Sequence, residues 1–111
     1  MSKMVWVETT AQGLPIRIFR SRLATAGYHR TYVLKMDRAQ AVADIRHQLF
    51  IRSEGFCELC ISPINEKTAH MHEQIHRGQG GEISLANSVM ICPTCHNWQH
   101  RDRNPRFGKK T

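Results

Sequence analysis

The sequence predicts a small α+β domain, and three observations lead to that class. A chain of 111 residues is long enough for one domain with a modest hydrophobic core. Residues 1–36 contain short β-branched and aromatic segments, whereas residues 37–54 carry apolar side chains at helical spacing. Two Cys-x-x-Cys pairs lie in the second half, and a metal ion held between them would stabilise a core of this size.

Three short strands are predicted in residues 1–36. Residues 4–10 (MVWVETT) are rich in the β-branched and aromatic side chains that strands favour. Residues 13–21 (GLPIRIFRS) alternate isoleucine with arginine, and residues 28–36 (YHRTYVLKM) follow a glycine that interrupts the chain. The sequence therefore predicts a basic, strand-rich N-terminal extension that precedes the rest of the domain.

A helix is predicted over residues 37–54. Asp37 suits the N-cap position, apolar residues recur at helical spacing up to Leu49, and Gly55 ends the pattern. The same segment carries three arginines, which are predicted to form a solvated face, with a stripe that faces DNA as the alternative. These are Arg38, Arg46 and Arg52.

The four cysteines predict one closed metal site. Each Cys-x-x-Cys presents two sulfurs on one side of a tight turn, so two such turns can complete a tetrahedral Zn²⁺ site. Zinc bound by four thiolates has no open position, which makes the site structural. The chain between the pairs is longer than in a simple zinc ribbon and must hold structure of its own. The predicted ligands are Cys57, Cys60, Cys92 and Cys95.

The chain is strongly basic, with 16 Lys and Arg against 9 Asp and Glu and a formal net charge of +7. A zinc ion on four thiolates would leave about +5. Such a charge suits a phosphate backbone, and the alternative is a solvated basic surface. No apolar run approaches the ~20 residues of a membrane span, and residues 1–10 lack the features of a signal peptide. These observations predict no membrane partner, a cytoplasmic location and reduced cysteines.

A second set of metal-binding side chains remains once the cysteines are assigned. His96 and His100 are four residues apart, so on a helix they share a face and direct two imidazoles toward one point. A third ligand must come from another cluster of potential ligands. The remaining cluster lies in residues 70–81 (HMHEQIHRGQGG). A single histidine is more often an ordinary surface or core residue. The support for a second metal site is therefore the combined spacing of these residues beside the cysteines.

Residues 70–81 combine a short strand with a sharp turn. On a strand, His70 and His72 would share one face and Glu73 would lie on the other. Gly80 and Gly81 allow the chain to turn tightly after it.

These residues resemble the HNH nucleases of the His-Me finger (ββα-metal) group. The resemblance rests on HE at 72–73, RGQGG at 77–81, Asn87 in SLANSVMIC, and CPTCHNWQH at 92–100. It covers residues 56–103, nearly half the chain, and is closest to the small stand-alone HNH proteins common in phage genomes. It implies an HNH nuclease domain over residues 37–111, in which a ββα-metal core is stapled by the Cys₄ zinc site.

The resemblance also implies roles for individual residues. By position, His72 is the first metal ligand, Asn87 orients the hairpin loop, and His96 and His100 are ligands on the helix. Arg77 is a candidate for gripping a phosphate. The basic tail, residues 104–111, follows further arginines that would also contact phosphates, namely Arg101 and Arg103.

Glu73 is the main departure from the family, because most members have the base histidine at this position. Either Glu73 is the general base, or His72 is the base and Glu73 or His70 binds the metal. A carboxylate beside a metal is ionised at neutral pH, although it is a weaker base than imidazole in free solution.

The resemblance implies a DNA endonuclease that hydrolyses phosphodiester bonds with one divalent metal, on duplex DNA in a bacterial cytoplasm. Imidazole ligands suit Zn²⁺ or Ni²⁺ and carboxylates favour Mg²⁺ or Mn²⁺, so the activating metal is open. Two alternatives are a non-catalytic zinc-ribbon module that binds nucleic acid and a degenerate HNH scaffold. Residues 1–36 have three alternative roles at this point: an arm that binds the target, a sheet that forms a dimer, or a docking surface for phage packaging proteins.

Overall fold

The computed structural model describes residues 3–103, except for the side chains of Arg77 and residues 100–103, and it has the predicted α+β class. Six strands and two α-helices lie within the described residues. They are β1 (Met4–Thr9), β2 (Pro15–Ile18), β3 (Val33–Asp37), α1 (Arg38–Ser53), β4 (His70–Glu73), β5 (Ile83–Ser84), β6 (Ser88–Ile91) and α2 (Pro93–Arg103).

The larger sheet is antiparallel, with the order β3-β1-β2-β5. Each predicted N-terminal strand has a counterpart, but the second (predicted over 13–21) and the third are shorter than predicted, and the third begins at Val33 rather than residue 28. The reason lies in the preceding turn, where the His29 ring accepts a hydrogen bond from the Thr31 amide at 3.2 Å and starts a 3-10 helix over Arg30–Tyr32.

Helix α1 begins and ends close to the predicted positions. The Asp37 carboxylate accepts a hydrogen bond from the Gln40 amide at 3.1 Å, which caps the first turn. The helix ends where Glu54 and Gly55 both adopt positive φ angles, 57° and 83°, a conformation that favours glycine. Its buried face consists of Ala41, Ile45 and Leu49.

One hydrophobic core joins the N-terminal sheet to the second half of the chain. Strand β2 pairs with β5, so that Ile18 lies opposite Ile83. Val7 of β1 and Met90 of β6 pack in the same buried cluster around Ile45 of α1. Residues 1–36, predicted as an extension, therefore contribute directly to the core from which the cysteine and histidine segments project.

Two of the three helix arginines do more than form the predicted solvated face: Arg46 is half-buried and Arg52 is exposed, but both bond to neighbouring segments of the chain. The Arg46 guanidinium donates to the carbonyl oxygens of Glu66 and Ala69, and Arg52 donates to the carbonyl oxygens of Leu85 and Ser88. A guanidinium carries five donors in a planar fork, which lets one side chain satisfy several loop carbonyls. These two arginines therefore hold the loop segments around residues 66–69 and 85–88 against α1.

Candidate metal centre and histidine cluster

The first cysteine pair forms a compact turn around one sulfur. The Cys57 Sγ accepts hydrogen bonds from the amides of Leu59 and Cys60, both at 3.4 Å, and the Cys57 carbonyl accepts from Ile61 at 2.9 Å. Ile61 adopts a φ of 68°, which turns the chain back so that Ser62 can bond to the Cys57 amide. The amides directed at sulfur favour a thiolate over a thiol.

The second pair lies at the start of α2 and completes the site. The Cys92 Sγ accepts a hydrogen bond from the Cys95 amide at 3.4 Å, and the Cys92 carbonyl accepts the first helical bond from His96. The ligand sulfurs of all four cysteines lie within 4.8 Å of one another, and Sγ of Cys60 and Cys92 are 3.8 Å apart. Zn–S bonds of about 2.3 Å in a tetrahedron require sulfurs about 3.8 Å apart. The four cysteines are positioned to hold a metal ion such as zinc.

The protonation of the four thiols is uneven. Hydrogen bonds with the side chain and backbone of Ser62 lower the pKa of Cys60 to about 6. Burial acts to raise the pKa of Cys57, but backbone hydrogen bonds from Cys60, Cys92 and Leu59 outweigh it and lower that pKa. Burial and the neighbouring thiols raise the pKa of Cys95. Crowded thiolates repel one another, and a divalent cation at their centre would remove that repulsion.

A charged pair that the sequence analysis missed supports the first cysteine turn. Arg52 of α1 donates two hydrogen bonds to the Glu58 carboxylate, at 2.9 and 2.7 Å, and Glu58 also accepts from the Met90 amide at 2.8 Å. Burial acts to raise the pKa of Glu58, but Arg52 and the Met90 amide lower it overall. The spacing of six residues crosses the end of a helix, so no helical pattern could have revealed the pair.

The loop between β4 and β5 is held by the side chain of Asn87. Its Oδ1 accepts from the Ile75 amide at 2.8 Å, and its Nδ2 donates to the Ile75 and Glu82 carbonyls, both at 2.9 Å. The Asn87 carbonyl also accepts from the Gln74 amide at 2.7 Å. One amide side chain thus fixes the chain that directly follows Glu73.

Gly81 makes this loop sterically possible. A Cβ at residue 81 would lie 1.8 Å from the Ile75 carbonyl oxygen, and the Gly81 amide donates to the His76 carbonyl at 2.9 Å. Gly80 beside it has a φ of 94°. The loop therefore folds back on itself with no room for a side chain at the closest approach.

Three histidines predicted as site residues lie side by side. Strand β4 pairs with β6, and α2 packs against β4. The ring of His96 on α2 stacks on His70, with centroids 4.4 Å apart, and meets the His72 ring edge-on at 5.7 Å. His72 is 5% exposed, whereas His70 is exposed. His76, for which no role was predicted, lies with its ring centroid 6.2 Å from that of His72.

The remaining predicted site residues divide into two groups. Glu73 follows His72 on β4 and is half-buried, on the opposite face by the alternation of a strand. The other predictions fall on side chains outside the described part of the structure, namely His100, Arg77, Arg101 and Arg103, as does the basic tail 104–111. Within the described residues, the four cysteines are the only group of three or more potential ligands whose atoms lie within 4.8 Å of one another.

Neither α-helix of the described residues is long and apolar enough to cross a membrane. Comparisons with models of protein families, with curated proteins and with solved structures found no match.

Proposed function

We propose that this protein is a metal-dependent DNA endonuclease of the HNH type. The observation that supports this most directly is the Asn87 side chain, which bonds to the amide and the carbonyl of Ile75. These bonds fix the loop segment that follows Glu73. The juxtaposition of His72 and His96 adds to it. A non-catalytic fold has no evident need to combine a pinned loop, a histidine cluster and a basic charge of +7.

The donor set suits a divalent metal of intermediate softness. His72 and His96 present imidazoles at the junction of β4 and α2, and His100 lies one turn further along the same helix. A metal bound there would neutralise the charge of the attacked phosphate and of the leaving oxygen. These histidines would hold it in place, while the four thiolates would hold a second, structural ion.

The residues of this chain would supply the proton chemistry and the positioning. Glu73 accepts a proton from the water that attacks phosphorus, or His72 does so while a neighbour binds the metal. Asn87 keeps the loop after the base in one conformation, so that the base and the phosphate meet at a fixed distance. Arg77, at the start of the 3-10 helix Arg77–Gln79, is proposed to contact the phosphate.

The test is cleavage of supercoiled plasmid with Mg²⁺, Mn²⁺, Ni²⁺ or Zn²⁺ added in turn. We expect metal-dependent relaxation or linearisation that His96→Ala abolishes. His47→Ala is the matched control, because His47 is exposed and bonds only to Glu66 at 2.9 Å among the described residues. Zinc content and circular dichroism spectra must show that both variants fold as the parent protein does.

A non-catalytic zinc module that binds nucleic acid is the second candidate. It is favoured by the metal geometry of the described residues, in which the cysteines alone form a tight ligand group. Under this alternative, folded and zinc-loaded protein would bind plasmid without cutting it in any of the four metals. Cleavage that persisted in His96→Ala would contradict the ligand assignment of the nuclease proposal.

A further inference from the structure

A groove lies at one end of the larger sheet, and its lining includes no residue of β4 or β6. Because the strands are antiparallel, the start of β1 and the ends of β2 and β3 meet at this end, where the Arg38 amide donates to the Lys3 carbonyl at 2.7 Å. The cavity has a volume of about 330 Å³. We call it the sheet-end groove; its lining includes Lys3, Trp6, Phe19, Arg20, Arg38 and Glu82.

The sheet-end groove carries a net positive charge. Lys3 and Arg20 are exposed and Arg38 is half-exposed, and the ion pairs found among the described residues involve none of the three. The acidic residue in its lining, Glu82, accepts from the Arg17 guanidinium at 2.9 Å and from the Arg20 amide at 3.1 Å. Arg17 also pairs with Glu8 at 3.2 Å, so it balances Glu82 only in part, and the three cations of the lining outweigh its one carboxylate.

The groove adjoins the loop that Asn87 holds. The Arg20 guanidinium lies 3.9 Å from the position of a Cβ on Gly80, in the glycine turn of that loop. The backbone of Glu82 accepts from Asn87 while its side chain lies in the groove lining. A polyanion at the proposed cleavage site could thus continue into the groove over adjacent surface.

We propose that the sheet-end groove binds phosphates of the DNA that flanks the cleaved bond. The proposal rests on the nuclease function and extends it, because it gives the N-terminal sheet a part in substrate binding. Three cations around an open groove suit a ligand with regularly repeated negative charge, as in a phosphodiester backbone. Trp6, whose ring centroid lies 5.4 Å from the Lys35 ammonium, adds apolar surface to the same lining.

The test compares two triple variants in a His96→Ala background, in which the binding of an end-labelled DNA duplex is measured by anisotropy over a range of salt. The groove variant is Lys3→Gln, Arg20→Gln, Arg38→Gln. The control, Arg22→Gln, Arg30→Gln, Lys67→Gln, removes the same charge from exposed positions outside the groove lining. Single-stranded DNA of the same sequence is a second arm. Circular dichroism and zinc content establish that both variants fold.

We expect the groove variant to bind more weakly and its slope of log K against log salt to shrink by about 2 to 3, because each phosphate that is no longer neutralised reduces the slope by about 0.9. The control variant should keep the parent slope. Equal slopes in the two variants, or absence of DNA binding by the parent, would overturn the proposal, and in the latter case an acidic protein becomes the better occupant. Plasmid cleavage is measured separately on the chain with His96 intact. If that chain never cuts while the slope difference is found, the nuclease proposal is refuted and binding by the groove stands.

Discussion

At the scale of single residues, two positions decide the shape of the loop after Glu73. Asn87 uses its acceptor and both of its donor directions on backbone groups of that loop, and Gly81 lets the Ile75 carbonyl approach where any side chain would collide. The first position was predicted from the sequence as a loop-orienting residue through a family resemblance. Its bonding partners could not be predicted, because they depend on how a twelve-residue segment closes on itself.

Asn87→Asp should weaken both folding and cleavage. The substitution keeps the acceptor but removes two donors, which sets a carboxylate against the carbonyls of Ile75 and Glu82. We expect the free energy of unfolding to fall by about 1–2 kcal/mol, because two hydrogen bonds of about 0.5–1.5 kcal/mol each are lost, and plasmid cleavage to be lost. Asn65→Asp is the matched control, because the Asn65 Oδ1 only accepts bonds, from Lys67 and Thr68, which aspartate retains. Urea unfolding of both variants measures the difference, and equal stability would refute the role of the donors.

Gly81→Ala should disrupt the same loop for a steric reason. The added methyl would lie 1.8 Å from the Ile75 carbonyl oxygen, so backbone must move, at a cost of about 1–3 kcal/mol. Gly78→Ala is the control, because nothing lies within 4 Å of its Cβ position. Thermal unfolding of the two variants should separate clearly, with cleavage lost in Gly81→Ala alone. Comparable melting temperatures would show that the loop relaxes without penalty.

At the scale of elements, α1 supports both the cysteine site and the hairpin through its arginines. Arg52 reaches Glu58 in the first cysteine turn and the carbonyl of Ser88 at the start of β6. The helix itself was predictable from its N-cap and apolar repeat, since both signals are local. The loop contacts of Arg46 and Arg52 were not, because an arginine every few residues on a helix is usual for a solvated face.

The ion pair between Arg52 and Glu58 should make the stability of the protein depend on pH in the acid range. Because the pKa of Glu58 is lowered in the folded state, its stabilising contribution is complete above the unfolded-state pKa of about 4.5 and is lost as pH falls through the folded-state value. Glu58→Gln should lower the free energy of unfolding by about 1–3 kcal/mol at pH 7, with less effect at the acid end. Urea unfolding from pH 7 down to pH 3 measures this. The same loss for Glu58→Gln at pH 3 and pH 7 would contradict it.

At the scale of the whole molecule, the two predicted segments share one core. The cysteine ligands were predictable because their spacing is local and their chemistry is specific. The pairing of β2 with β5 was not, since β5 has only two residues and the Arg17–Glu82 bond beside it joins positions 65 apart in sequence. The hydrophobic periodicity of a sequence does not reveal contacts between residues so far apart in the chain.

Removal of residues 1–36 should therefore unfold the remainder rather than release a separately folded domain. The truncated chain would expose the faces of α1 and β5 that Val7 and Ile18 cover, and two fully buried aliphatic side chains contribute about 3–6 kcal/mol, a large part of a small domain's stability. Amide spectra of residues 37–111 with added zinc provide the measurement, beside the full-length chain as the control. Well-dispersed signals from the truncated chain would show that it folds alone.

The short strand β5 has a thermodynamic consequence. Residues 82–84 bond on one side to β2 and on the other to Asn87, since Ile83 pairs with Ile18 and the Ser84 hydroxyl accepts from the Asn87 amide at 3.1 Å. These direct bonds are a route by which a displacement at the sheet end would reach the loop after Glu73. Any ligand that shifts one of them changes the binding free energy at the other, and the effect is reciprocal. Occupancy of the sheet-end groove and of the histidine cluster would then be linked equilibria rather than independent ones.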